Sequence, residues 1–280
     1  KSSVAVGDGA NALHDSAVAL GAYTTANNAG ATAVGFNSNA LGWASFAGGH
    51  SAKAEASSAV ALGHEARAVS GKAVAIGKSS HAAKDSGIAL GDEARAAGSK
   101  AVAIGKTSYS AKDSGIALGD GAKADEVNAI AIGSTNNAWK EDSIALGRLA
   151  NADGAASLAL GLNSHTRLEN AIALGNGANA DHSNSIAIGK SSHAAASAGV
   201  AIGNDARALK FSSVVIGDQA QSKNSHSVVI GFNASANNTE IPKSGQPDYN
   251  QTVAIGAFSN AWGDQSTAIG NNVTAQGNSS

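Results

Sequence analysis

A glycine that ends a short apolar run returns every 14 residues along this chain, at Gly7, Gly21, Gly35 and so on without a slip to Gly231. The next such glycine is Gly256, 25 residues on, and Gly270 restores the interval. The chain is therefore 19 copies of one unit with a single insertion of 11 residues. A period this short and strict means a solenoid in which each copy is one structural coil. Residues 70–97 and 98–125 match at most positions, so part of the array is a duplication of two coils at once.

Alternation inside the period gives the geometry. The three residues before each glycine read large aliphatic, alanine, large aliphatic, as in Val74-Ala75-Ile76 and Ile116-Ala117-Leu118, which is a β-strand pattern. Three and five residues after the glycine, small residues flank a polar one, as in Ala66-Arg67-Ala68 and Ala122-Lys123-Ala124. This predicts a second short strand. Two strands and two tight turns use up the period, whereas a three-sided coil needs roughly 18 residues or more by the same strand arithmetic. Glycine after the first strand, and again seven residues later at Gly42, Gly98 and Gly154, suits turns with positive φ. Stacked at the ~4.8 Å strand spacing, 19 coils predict a rod of roughly 90 Å. The two aliphatics of one coil stabilise by only ~3–6 kcal/mol when buried, against roughly 1–2 kcal/mol of backbone entropy per residue, so stability has to come from stacking. The Val/Ile columns are expected to fill the roll against the alanines of the second strand, leaving the small Ser/Ala/Gly columns to a subunit interface; the opposite assignment is physically open, since alternation alone does not choose between the two faces.

Charge placement divides the surface. Of 21 acidic residues, seven lie one or two residues after the glycine, twelve lie six to nine after it, and two lie in the insertion; acids therefore occupy turns only. The first strand carries no charge in any copy on either face, so both faces need burial. A two-sided coil can cover only one of them, which predicts a partner surface, most simply another copy of the chain. The middle position of the second strand is instead polar and never acidic: Lys53, Arg67, His81, Arg95, Tyr109, Lys123, His165, His193 and Arg207. That column is expected to face water as a ladder of cationic, imidazole and amide groups.

Composition closes other routes. With 34 glycines, 4% aromatics and no methionine in 280 residues, the core must be thin. Only two prolines occur, without a glycine at every third position, which excludes collagen. No cysteine is present, removing disulfides and thiolate chemistry. A net charge of −2 argues against nucleic acid, and no apolar run approaches the ~20 residues of a membrane helix. The eight histidines are read as scattered over the repeat with no two stacked in adjacent coils, so no metal site and no cofactor is expected. Gly7-Asp8-Gly9 and its equivalents recur with the coil and precede no helix, so they are not nucleotide loops. No pocket is evident around the turn carboxylates, and the chain is not expected to be an enzyme.

Two irregularities are candidate binding features. The inserted loop, residues 237–250, holds both prolines together with Lys243 and Tyr249, and loops on rigid scaffolds often bind. Aromatics gather near Phe36, Trp43 and Phe46, and again near Phe232, Tyr249, Phe258 and Trp262. These are possible anchors for a protein partner or caps on exposed roll edges.

Asn184-Ser185-Ile186-Ala187-Ile188-Gly189 and looser copies such as Ser143-Ile144-Ala145-Leu146-Gly147 resemble the repeat of YadA-like trimeric autotransporter adhesin heads. The resemblance covers essentially the whole chain. It implies a left-handed parallel β-roll, a homotrimer, and display on a bacterial cell surface through an outer-membrane anchor. It also implies binding to host cells or to matrix proteins of the collagen, fibronectin or laminin class. On that basis residues 1–280 are one all-β head roll of about 19 coils, with neck, stalk and anchor expected outside the fragment. Its ligand contacts are expected at the polar ladder, at Lys243 and Tyr249, and at Trp43 and Trp262. A rod that only spaces out another binding domain is the alternative.

Overall fold

Each copy of the repeat folds as two short parallel-sheet strands, in a computed structural model that describes residues 2–237 and 251–277. The first strand takes the three residues before the glycine, as Val74–Ile76 and Ile116–Leu118 do. The second takes the residues four and five past it, as His81–Ala82 and Lys123–Ala124 do. Every strand pairs in parallel with its equivalent one coil away and in strict register: Val74 with Ile88, Ala75 with Ala89, Ile76 with Leu90. The backbone groups are spent on this ladder, for example the Val74 N–H donating to the Gly87 carbonyl at 2.9 Å and the Gly91 N–H to the Ile76 carbonyl at 2.8 Å. Two compact units result, Lys1–Asp142 and Ser143–Ser280. The first runs from β1 (Val4–Val6) to β20 (Asn137–Ala138), and the second from β21 (Ile144–Leu146) to β38 (Thr274–Ala275). Each is a two-sheet parallel β-solenoid, as the period predicts.

The filling of the roll is the reverse of the expectation. Alanine columns, not Val/Ile columns, occupy the interior: on the side of the first strand the residues four and two before the glycine, such as Ala73 and Ala75, and on the side of the second Ala66 and Ala68, are all fully buried. Val74 is half-buried and Ile76 is 37% exposed, both on the outer face. The reason is dimensional. A 14-residue coil with two corners holds its two sheets so close that facing side chains must be methyl-sized. Among the described residues only Val215 and Val229 put a larger aliphatic inside.

Many polar side chains that enter the interior bond to a nearby carbonyl, although the buried Ser38, Ser110 and Ser266 hydroxyls do not. The Ser45 and Ser157 hydroxyls donate to the carbonyls of Gly42 and Gly154, three residues back, at 2.8 and 2.7 Å. Ser108 does the same at the other corner, to Gly105 at 2.9 Å. These satisfied hydroxyls explain why serine alternates freely with alanine in the corner columns. The insertion leaves the array in register, since Val228 pairs with Val253 and Ser235 with Asn260 across it. Buried Asn224 donates from Nδ2 to Thr252 Oγ1 at 3.1 Å, and so holds inside the roll the point where the chain returns. Lys243, Tyr249 and both prolines lie outside the described residues.

The repeated glycine is required by its backbone and its neighbour together. Gly77 has φ +127°, and a Cβ there would meet the Gly91 carbonyl oxygen at 2.4 Å. The glycines seven residues later differ from expectation. Gly42, Gly98 and Gly154 are not in the left-handed region; a Cβ there would lie 2.0–2.1 Å from the backbone of the next coil. Positive φ falls two residues further on, mostly on non-glycine residues such as Ala44 and Ala156 (φ 50° and 51°). An L-residue held there costs roughly 1–2 kcal/mol. Ala156→Gly should therefore raise the unfolding free energy in urea titrations by a few tenths to about 1 kcal/mol, whereas Gly77→Ala should lower it by about 3 kcal/mol or more. Equal midpoints for the two variants would contradict this account of the corners.

Candidate functional site

Because the second strand buries its alanines, its middle residue must point outward, and parallel register stacks those residues into a column. In the first unit Lys53, Arg67, His81, Arg95, Tyr109, Lys123 and Asn137 are consecutive partners. In the second, Asn151, His165, Asn179, His193, Arg207 and Gln221 are. Lys53, Arg67, Arg95, Lys123 and Arg207 are exposed, and the histidines and Tyr109 are half-buried. The ladder predicted from the repeat is thus assembled, with neighbours about 4.8 Å apart. Arg95 lies 5.7 Å from the Tyr109 ring centroid, within cation–π range.

The column is less uniformly cationic than its residue types suggest. Acids six residues past the glycine of one coil reach the ladder residue of the next, 12 positions on. Arg67 Nε donates to Glu55 Oε1 at 2.7 Å, and this hydrogen bond raises the guanidinium pKa. His165 pairs with Asp153 at 2.8 Å and His193 with Asp181 at 2.7 Å, the latter carboxylate also meeting Arg167 at 3.2 Å. These carboxylates were legible as a fixed 12-residue offset, but counting them only as turn acids hides the pairing. His81 has no such acid, because Val69 occupies the offset position. Its Nε2 is buried without a hydrogen-bond partner. Burial pushes its pKa below the usual imidazole value, and Arg67 and Arg95 on either side push it further down. At Asp125 burial raises the carboxyl pKa, Lys123 opposing and Glu126 reinforcing the shift.

Beside the ladder, Asn37, Ser51, Lys53, Glu65, Ala66 and Arg67 line a shallow cleft of about 270 Å³. Next to it His50 and His64 stack at 4.9 Å and 10°, with Phe36 stacked on His50 at 5.2 Å and Tyr23 edge-on to Phe36. This corrects the expectation that no two histidines stack in adjacent coils, since both sit one residue past their glycine. No group of three or more His, Cys, Asp or Glu suited to a metal occurs among the described residues. Trp43 and Trp262 are exposed, Trp262 in the phase of the acids that reach the ladder and Trp43 in the phase two residues further on, and Phe36 contacts Tyr23 and His50. Phe232 and Phe258 meet edge-on at 5.2 Å across the insertion.

The opposite face is apolar. Leu62, Ile76 and Ile104 are 43%, 37% and 38% exposed in the first unit, and Leu174, Ile216 and Ile230 stand in the same column of the second. Contiguous exposed aliphatic surface of this kind is uncommon on an isolated soluble chain. The unpaired His81 yields a direct check. Its ring should titrate below the ordinary value near 6.5 by NMR, and Val69→Asp, which supplies the missing acid, should raise the midpoint. A depressed imidazole contributes stability above pH 6.5 that is lost as pH falls below it; an unmoved midpoint in the variant would contradict the assignment.

Repeats of the YadA head domain model match in stretches that run from residue 1 to residue 272, most of them spanning about two coils, such as 68–94 and 82–108. No curated protein matches the chain. The two-strand parallel coil, its 14-residue period and a family match over well over half of the residues agree, and the chain belongs to the YadA head family.

Proposed function

We propose that this chain is the head of a surface-displayed trimeric adhesin, in which three copies bury their aliphatic faces against one another and turn their polar ladders outward to host ligands. The division of the coil carries this reading: the outer face of the first strand is aliphatic and exposed, while that of the second is polar. The ligands are host matrix proteins of the collagen, fibronectin or laminin class, or the host cell surface. Each ladder residue contributes a weak contact, and repetition along three chains raises the effective concentration of the next.

The ladder residues are not equivalent. Arg67 is engaged by Glu55, whereas Arg95 and Lys123 have no carboxylate within ion-pair distance among the described residues. The chain should sediment as a trimer, and Ile104→Asp should yield a folded monomer that loses adhesion. In solid-phase binding to purified matrix proteins, the Arg95→Ala/Lys123→Ala double variant should weaken affinity by roughly tenfold, about 1.4 kcal/mol, and reduce its salt dependence. Arg67→Ala should cost less. Salt-insensitive binding that survives the double variant would remove the ladder from the ligand site.

A further inference from the structure

Within residues 63–121, six exposed lysines, Lys72, Lys78, Lys84, Lys100, Lys106 and Lys112, have no carboxylate within ion-pair distance among the described residues. The nearby acids are turned to the backbone instead. Asp85 and Asp113 accept the N–H groups of Gly71 and Ser99, and Asp92 and Asp120 those of Lys78 and Lys106. The charges are sorted by edge. The corner that follows the first strand carries Glu65, Asp92, Glu93 and Asp120 against Lys78 and Lys106. In the same stretch, the corner that precedes the first strand carries Lys72, Lys84, Lys100 and Lys112 against Asp85 and Asp113. One edge is net acidic and the other net basic.

Both edges also alternate with a two-coil period. Coils with Lys78 and Lys106 on one edge carry the neutral pairs Lys84-Asp85 and Lys112-Asp113 on the other. Coils with Glu65 or Asp92-Glu93 on one edge carry Lys72 or Lys100 on the other. The first strand lies between the edges and keeps them more than about 10 Å apart, so they cannot neutralise each other within one coil.

We propose that these two edges recognise each other between neighbouring copies of the chain, and that this pairing sets the axial register of the assembly. The proposal rests on the trimer reading. In a closed ring of parallel chains with aliphatic faces inward, every interface is heterologous and brings the leading edge of one copy to the trailing edge of the next. The aliphatic columns cannot set register by themselves, because each coil offers the next nearly the same Val, Ile or Leu, and a slip of one coil preserves most apolar contact. A slip of one coil does, however, move Asp92-Glu93 from Lys100 to the neutral Lys84-Asp85 pair and bring Lys106 towards Lys100. Charges at such a rim act on register and partner choice more than on affinity.

The test uses charge reversal in the full chain, followed by analytical ultracentrifugation at 50 mM NaCl. Replacing the four trailing-edge lysines (Lys72→Glu, Lys84→Glu, Lys100→Glu, Lys112→Glu) should raise the concentration at which the trimer dissociates by at least tenfold. Reversing the leading-edge acids (Glu65→Lys, Asp92→Lys, Glu93→Lys, Asp120→Lys) should do the same. The chain with both edges reversed should regain the trimer, which separates lost recognition from lost fold. When it is co-expressed with the wild-type chain under different tags, the two should sort into separate trimers. A trimeric wild type whose single-edge variants dissociate normally, or which mixes statistically with the doubly reversed chain, overturns the edge pairing alone. A monomeric wild type overturns the trimer reading itself.

Discussion

The distance between the two sheets governs the other features of this molecule. A 14-residue coil with two corners leaves room for a methyl group on each side, so Ala75 faces inward and its larger neighbours Val74 and Ile76 are forced out. Ordinary β-solenoids gain stability from aliphatic interiors. Here the interior contributes close backbone approach and, within each unit, a continuous hydrogen-bond ladder, and the apolar area that would usually form a core is carried on the outside. A single chain therefore displays on one face the apolar area that a core would ordinarily cover.

The same closeness dictates the backbone. Sheets this near can be joined only by abrupt corners, and each corner holds a residue near φ 55°, so glycine is needed only where a neighbouring carbonyl crowds the Cβ, as at Gly77. Elsewhere the corner tolerates serine, lysine or asparagine at the cost of local strain. Tolerance at the corners frees those positions for charge. That is why the acids collect there and why edge-specific patterns can be written into the array without disturbing its interior.

Most of the architecture was legible in the sequence, because a repeat reports the same environment many times. The in-register strands, the polar columns from Lys53 to Lys123 and from His165 to Arg207, and the uncharged first strand all followed from the phase of each residue. The inward or outward sense of that first strand did not. Alternation shows that Ala75 and Ile76 point to opposite sides, and a preference for large residues in cores picks the wrong side when the gap is too narrow for them. The ion pairs of Arg67, His165 and His193 were hidden for a different reason. Each joins two phases of the repeat in adjacent coils, an offset of 12 rather than 14, so examining one column at a time cannot reveal it.

A strictly repeated surface has a difficulty as a recognition element, since a ligand or a partner copy can bind equally well one coil higher or lower. Multivalent contact raises affinity by this degeneracy, but it gives no fixed position. Specificity must come from departures in the pattern that leave the interior intact. This chain has such departures in outward phases: His81 without its acid, the stacked Phe36, His50 and His64, and the alternating charges of residues 63–121. At the insertion, buried Asn224 and Thr252 preserve the register around 11 extra residues. The methyl-lined interior makes the array uniform, and because it accepts almost no variation itself, the positions that can distinguish one coil from another are those that meet solvent, ligand or a neighbouring copy.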